Sequence, residues 1–130
     1  MKSRGKKSVI ALMLGLFLFS GMVVTAKAEY TSFSEYFYLS STGYTGNQTK
    51  QVTGGNGWIN CSSMSGSSYF NTTLVNSNYE TRSGPNKVNY TGYQFSIINI
   101  YGSASAGYWY YYKMVVPNLG TTLKGTFSVG

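Results

Sequence analysis

Residues 108–116 have the sequence YWYYYKMVV, in which aromatic and β-branched side chains dominate and Lys113 is the one charged residue. Such residues favour strands, because their side chains pack well on a pleated surface. We therefore predict that this stretch is the central strand of a β-sheet. Alternate side chains of a strand face opposite sides of its sheet. We expect the apolar Met114 and Val116 to face the core. The tyrosines of the same row, Tyr108, Tyr110 and Tyr112, are then expected to face the core as well.

Short segments of similar composition recur along the chain, and clusters of turn-forming residues separate them. Gly54–Gly57, Ser83–Asn86 and Pro117–Gly120 are rich in Gly, Pro, Ser and Asn, which are typical of turns. The last cluster joins residues 108–116 to the alternating segment 121–129, and we predict that these two strands form a hairpin. About eight short strands, without helical periodicity after the N-terminal leader, predict an all-β domain. The expected architecture is a small antiparallel β-sandwich or a partly open barrel.

Two further segments give local predictions. Residues 29–34 are expected to be a mobile N-terminal stub, with the first strand at Tyr36–Leu39. In the long segment 93–101 the apolar pattern changes its phase between Ile97 and Ile98. We predict a β-bulge at that point, which would bring both isoleucines to the core, or else a strand that is buried on both faces.

The N-terminus has the three parts of a secretory signal peptide. Met1–Lys7 is basic, Val9–Val24 is almost wholly apolar, and Ala26-Lys27-Ala28 supplies small residues at the positions that signal peptidase requires. The apolar run is shorter than the roughly 20 residues of a membrane span, although an uncleaved anchor is the alternative. We expect a signal peptide at residues 1–28 and a single secreted, extracellular β-domain at residues 29–130.

The charge distribution limits the classes of partner. The formal net charge is +7, but five of the ten basic residues lie in the first 28 positions, and residues 29–130 keep a net charge of +2. This leaves no basic stripe that would indicate a nucleic-acid partner.

The residue inventory argues against catalysis. The chain contains no His and three carboxylate side chains, so a serine or cysteine nucleophile would lack its usual base and a metal site its usual ligands. We predict no catalytic residues, no metal and no cofactor. The remaining enzymatic arrangement would be Glu35 and Glu80 acting as a glycosidase pair. Cys61 is the single cysteine, and we interpret it as a small buried residue, with an intermolecular disulfide as the alternative.

The outward side of residues 108–116 carries the candidate binding residues. Trp109 and Tyr111 face solvent together with Lys113, and the predicted hairpin would place Lys124 beside them. Aromatic side chains with a polar rim suit sugar rings, and lysines suit anionic polymers or lipid headgroups. The alternative is that another strand, a loop or a partner chain covers this face.

The chain resembles the lactococcin-type β-sandwich bacteriocins and other small secreted proteins of Gram-positive bacteria. The resemblance consists of the lysine-rich leader that ends at Ala26-Lys27-Ala28 and about a hundred following residues rich in Tyr, Gly, Ser and Asn. It implies a non-enzymatic β-sandwich that binds an envelope component or a protein partner, with a bacteriocin-like action as one form of this binding, and it assigns no individual residue. Two other functions fit the sequence. One is a structural subunit of an extracellular assembly, in which strands 93–101 and 108–116 associate edge to edge. The other is a stand-alone carbohydrate-binding module.

Overall fold

The computed structural model describes residues 30–89, 91–92 and 95–130, which form two antiparallel β-sheets packed face to face. The prediction of an all-β sandwich is confirmed, with nine short strands where about eight were expected. The described part contains no helix that could cross a membrane. The predicted signal peptide, residues 1–28, lies outside the described residues, as does Tyr93. The strands are β1 (Thr31–Phe37), β2 (Thr42–Tyr44), β3 (Gln48–Thr49), β4 (Asn56–Ser65), β5 (Phe70–Asn76), β6 (Asn86–Val88), β7 (Ser96–Asn99), β8 (Trp109–Val115) and β9 (Thr121–Ser128).

Strand β8 is the centre of the larger sheet, as its composition predicts. The five-stranded sheet has the order β2-β8-β5-β6, and β3 pairs with β8 beside β2. The four-stranded sheet has the order β1-β9-β4-β7. All pairings are antiparallel, so short turns and sheet-crossing loops are sufficient connections.

The predicted hairpin of β8 and β9 is wrong. The turn Pro117–Gly120 carries the chain from the five-stranded sheet to the four-stranded sheet, where β9 pairs with β1 and β4. The two strands face each other across the core instead of lying side by side. The rings of Tyr112 and Phe127 meet edge to face there, with centroids 5.9 Å apart. Both side chains are fully buried, so packing between the sheets replaces the expected hydrogen bonds of a hairpin.

The alternation within β8 follows the prediction, with one exception at its start. Tyr110, Tyr112 and Met114 are buried, whereas Trp109 is exposed. Tyr108 was predicted to face the core, but it is 66% exposed because the strand begins one residue later. The buried hydroxyl of Tyr112 donates a hydrogen bond of 2.8 Å to the Ser128 carbonyl, which satisfies a polar atom deep in the core.

Two local predictions fail, and both failures concern strand boundaries. Residues 31–34 of the segment expected to be a mobile stub belong to strand β1, which begins at Thr31 and pairs with residues 121–127 of β9. No bulge occurs at Ile97, which points outward and is 54% exposed, while Ile98 is fully buried. The register shift lies instead between β4 and β9, where Ser62 is the extra residue opposite Lys124 and Gly125.

Cys61 is buried in the core, in agreement with the interpretation as a small hydrophobic residue. Its thiol lies 3.3 Å from the Ser63 carbonyl oxygen. Burial raises the pKa of this thiol. The protonated, inaccessible sulfur is therefore a poor nucleophile and a poor partner for a disulfide.

A polar clasp, which we define as Gln48 and Lys50, joins the two sheets at one end of the sandwich. The fully buried Lys50 donates a hydrogen bond from Nζ to the Val129 carbonyl oxygen at 2.7 Å. The Gln48 side chain accepts a hydrogen bond from the Val129 amide at 2.7 Å and donates one to the Thr31 hydroxyl at 2.8 Å. Burial lowers the pKa of Lys50 to about 8 from its ordinary value of 10.5.

Candidate binding surface

The four predicted binding residues do not share one surface. Trp109, Tyr111 and Lys113 lie on the outer face of the five-stranded sheet, as their alternation predicts. Lys124 lies on the outer face of the four-stranded sheet, because β9 belongs to that sheet. The predicted cluster is therefore wrong with respect to Lys124, for the same reason that the predicted hairpin is wrong.

Three tyrosines form a cluster on the outer face of the five-stranded sheet. Tyr44 comes from β2, Tyr111 from β8, and Tyr79 from the connection between β5 and β6. The rings of Tyr79 and Tyr111 stack with an interplanar angle of 13° and a centroid distance of 5.9 Å. The ring of Tyr44 is tilted against that of Tyr79 at 5.1 Å and meets that of Tyr111 at 6.4 Å. We call Tyr44, Tyr79 and Tyr111 the tyrosine cluster.

The turn that holds Tyr79 is built around Asn76. The Asn76 side-chain oxygen accepts hydrogen bonds from the amides of Asn78 and Glu80, and its backbone carbonyl accepts one from the Tyr79 amide. Tyr79 itself has a φ of 63°, in the left-handed region that a residue with a large side chain rarely adopts. The hydrogen bonds of Asn76 and the stacked rings keep the residue in this conformation.

Tyr79 changes the expected role of Tyr111. Because the Tyr79 ring stacks on it, Tyr111 is only half-exposed, while Tyr79 is 59% exposed. A loop thus covers part of the face, and Tyr111 supports the exposed ring from below. On this face the rings of Tyr79 and Trp109 are more exposed than the ring of Tyr111, and they are the rings that we consider for ligand contact. The sequence analysis did not select Tyr79, because its position depends on the turn that begins at Asn76-Ser77-Asn78 and not on strand alternation.

The face that carries the tyrosine cluster is positively charged. Lys113 lies between Tyr44 and Thr73 in the cross-strand register. Lys87 is on β6, with its ammonium group 4.5 Å from the centre of the Tyr69 ring. Among the described residues neither lysine forms an ion pair.

Glu35 and Glu80, the carboxylates of the alternative glycosidase pair, are associated with different sheets of the sandwich. Glu35 is on β1 of the four-stranded sheet, whereas Glu80 follows β5 of the other sheet and forms an ion pair of 3.0 Å with Arg82. The Asn76 amide and the Arg82 guanidinium lower the pKa of the Glu80 carboxyl, so it stays ionised rather than serving as an acid. The described residues also contain no group of three His, Cys, Asp or Glu side chains that could hold a metal ion.

A smaller aromatic groove lies on the outer face of the four-stranded sheet. Trp58 forms its floor, with the ring of Tyr30 at 5.0 Å and that of Phe95 at 4.8 Å, and Ile97 is its cross-strand neighbour. These four side chains line an open groove of about 160 Å³ and carry no charge. The sequence analysis assigned no role to Trp58, and it predicted that Ile97 would be buried.

Comparison of the chain with protein-family models, with curated proteins and with solved structures finds no match. The candidate function therefore depends on the two outer faces of the sandwich. Of these, the face with the tyrosine cluster combines exposed rings with two lysines that form no ion pair with any described residue. It can stack on a ligand, donate hydrogen bonds and attract negative charge.

Proposed function

We propose that the protein is a secreted, non-enzymatic binding protein that recognises an anionic glycan polymer of the cell envelope. The observation that carries this proposal is the combination of Tyr79, Trp109 and Lys113 on one face of the five-stranded sheet. Aromatic rings pack against the apolar faces of sugar rings, and an ammonium group attracts carboxylate or phosphate groups on the same polymer. A bacteriocin-like action on other cells is one form that such binding can take, and the resemblance in leader and composition favours it.

The rigidity of this surface supports the proposal. β8 has strand partners on both sides, and the turn around Asn76 fixes Tyr79 through backbone hydrogen bonds. When a ligand binds to such a surface, few protein side chains or loops have to become ordered. The cost in conformational entropy is therefore small. The tyrosine side chain adds area with only two rotatable bonds, which keeps this cost low.

The charge of the two faces favours the five-stranded sheet as the binding side. Lys113 and Lys87 lie on its outer face, whereas Lys124 is the corresponding cation of the four-stranded sheet among the described residues. Two cations on a flat face attract a repeating anionic polymer along its length. Because these cations are near solvent, their contribution must weaken as the salt concentration rises.

The experiment is sedimentation of the purified protein with an isolated Gram-positive cell-wall fraction. Trp109→Ala is expected to weaken binding about 2- to 10-fold, which corresponds to the loss of one aromatic contact. Lys113→Gln is expected to weaken binding at low salt and to reduce its salt dependence. The matched controls lie on the opposite sheet: Tyr36→Ala removes an exposed ring, and Lys124→Gln removes one positive charge.

The same variants separate the proposal from its competitors. Unchanged binding by both Trp109→Ala and Lys113→Gln would refute the proposed binding surface. The proposal would also be refuted if the two control variants lost as much affinity as these two variants. Loss with Trp109→Ala but no effect of Lys113→Gln or of salt would overturn the anionic polymer and indicate a module for neutral carbohydrates. An extracellular assembly through the edge of β8, which the sequence analysis considered, is not possible in this fold. β8 has strand partners on both sides and so offers no free edge.

A further inference from the structure

Strand β1 is the longest free edge of the sandwich. Its seven residues pair with β9 on one side, and within residues 30–89, 91–92 and 95–130 no strand pairs with the other side. An edge strand presents a row of unpaired N–H and C=O groups that can accept a further strand. Proline and lysine, which natural proteins place on edges to prevent this, are both missing from the sequence TSFSEYF of residues 31–37.

One carboxyl group interrupts the inner row of this edge. Phe33 and Phe37 point into the sandwich and are buried, and Glu35 lies between them in the same row. An inward-pointing charge on an edge strand is one of the devices that prevent strand addition, because the added strand would bury it. Partial burial already raises the pKa of Glu35.

Among the residues that the structure describes, no cation faces Glu35 from the elements packed against it. Its cross-strand neighbour on β9 is Leu123, and the adjacent Lys124 points to the opposite face of the sheet. On the β2 side, a Cβ added at Gly43 would lie 3.2 Å from the Glu35 Cγ. Glu35 also lines a groove of about 290 Å³ with Tyr36–Ser40, Thr42 and Gly43, in which the other titratable groups are tyrosines.

The side-chain sizes of β1 complement a second copy of the same strand. If two copies pair antiparallel about Ser34, the large side chains of Phe37 and Tyr36 lie opposite small ones. Phe37 then faces Thr31 of the second copy, and Tyr36 faces Ser32, while Glu35 lies beside Phe33. A two-fold pairing of this kind closes on itself and gives a dimer rather than an open fibre.

We propose that β1 is a self-association edge, at which two copies of the chain form a continuous sheet of eight strands when Glu35 is neutral. When Glu35 is ionised, pairing would place two uncompensated carboxylates in one newly buried row, and the protein stays monomeric. Acidification therefore triggers dimerisation. This inference is independent of the envelope-binding surface, which lies on the other sheet.

The test is the molar mass of the full-length chain, measured by sedimentation velocity at about pH 7 and about pH 4. The wild type is expected to be monomeric at the higher pH and dimeric at the lower pH. Glu35→Gln is expected to dimerise at neutral pH, at least about tenfold more tightly than the wild type. Glu80→Gln removes a carboxylate away from the edge and should remain monomeric at neutral pH.

A second substitution identifies the interface. Ser34 is exposed, so Ser34→Lys should not disturb folding, but in the two-fold pairing it places two ammonium groups opposite each other. The double variant Glu35→Gln, Ser34→Lys should therefore be monomeric. The proposal is overturned if folded Glu35→Gln stays monomeric at neutral pH, if Ser34→Lys leaves its dimer intact, or if the wild type dimerises equally at both pH values.

Discussion

Replacement of Lys50 by Met removes the buried cation from the polar clasp, and the effect should depend strongly on pH. In the folded protein the Lys50 side chain is fully buried, and its Nζ contacts the Val129 carbonyl. Its folded pKa of about 8 lies below its ordinary value of 10.5, because burial disfavours the charged form. Between these two values the unfolded chain binds more protons than the folded chain. Stability therefore rises as the pH increases through this window.

The size of the effect follows from these two pKa values. The full difference corresponds to about 3 kcal/mol, and the part realised between about pH 7 and about pH 9.5 is about 2 kcal/mol. At neutral pH the Met variant avoids the cost of the buried charge but leaves the Val129 carbonyl unpaired, at about 1–3 kcal/mol. We therefore expect wild type and Lys50→Met to be similar in stability near pH 7, and the wild type to gain the advantage near pH 9.5.

The assay is urea unfolding of both proteins at several pH values across this window, with the slope of the transition compared as a check of two-state behaviour. Burial raises the pKa of Tyr112, which opposes stability only above about pH 10 and is common to both proteins. Lys124→Met serves as the control, because Lys124 is exposed and should leave the wild-type profile unchanged. A wild-type profile without the rise, or a parallel rise in Lys50→Met, would refute the reasoning.

Two further substitutions test the packing of the sandwich by urea unfolding. Gly125→Ala should destabilise the fold by about 3 kcal/mol or more, because its Cβ would overlap the Asn60 carbonyl oxygen at the bulge. The control is Gly84→Ala, where a Cβ meets nothing within 4 Å. Equal unfolding midpoints for the two variants would contradict the predicted overlap. Thr72→Val should stabilise the fold by about 1 kcal/mol, because the buried Thr72 hydroxyl has no hydrogen-bond partner within the described part of the chain. A loss of stability would show that the hydroxyl is paired.

The features that sequence predicts correctly are those decided within one strand. Tyr110, Tyr112 and Met114 are buried because alternation along β8 is a local property of extended backbone. The burial of Cys61 follows from the apolar character of its strand in the same way. These two results required no knowledge of which strand lies beside which.

The features that sequence misses depend on distant partners. Pro117–Gly120 has the composition of a hairpin turn, yet the partner of β9 is decided by β1 and β4, which lie far away in the chain. Lys124 was misplaced as a direct result. In the sequence of β1, Glu35 interrupts the apolar alternation of Phe33 and Phe37. The start of the strand was therefore predicted to be a mobile stub. Tyr79 depends on a backbone conformation with positive φ, which its residue type does not indicate.

The position of β9 also has a consequence for the order of folding. β9 is the ninth and last described strand in chain order, yet it lies between β1 and β4 and is the only described strand that pairs with β1. The polar clasp likewise joins Lys50 and Gln48 to Val129, across 79 and 81 positions. Contacts of such high sequence separation form late and slowly. The four-stranded sheet therefore assembles only after β9 has been synthesised, whereas all strands of the five-stranded sheet precede β9 in the chain.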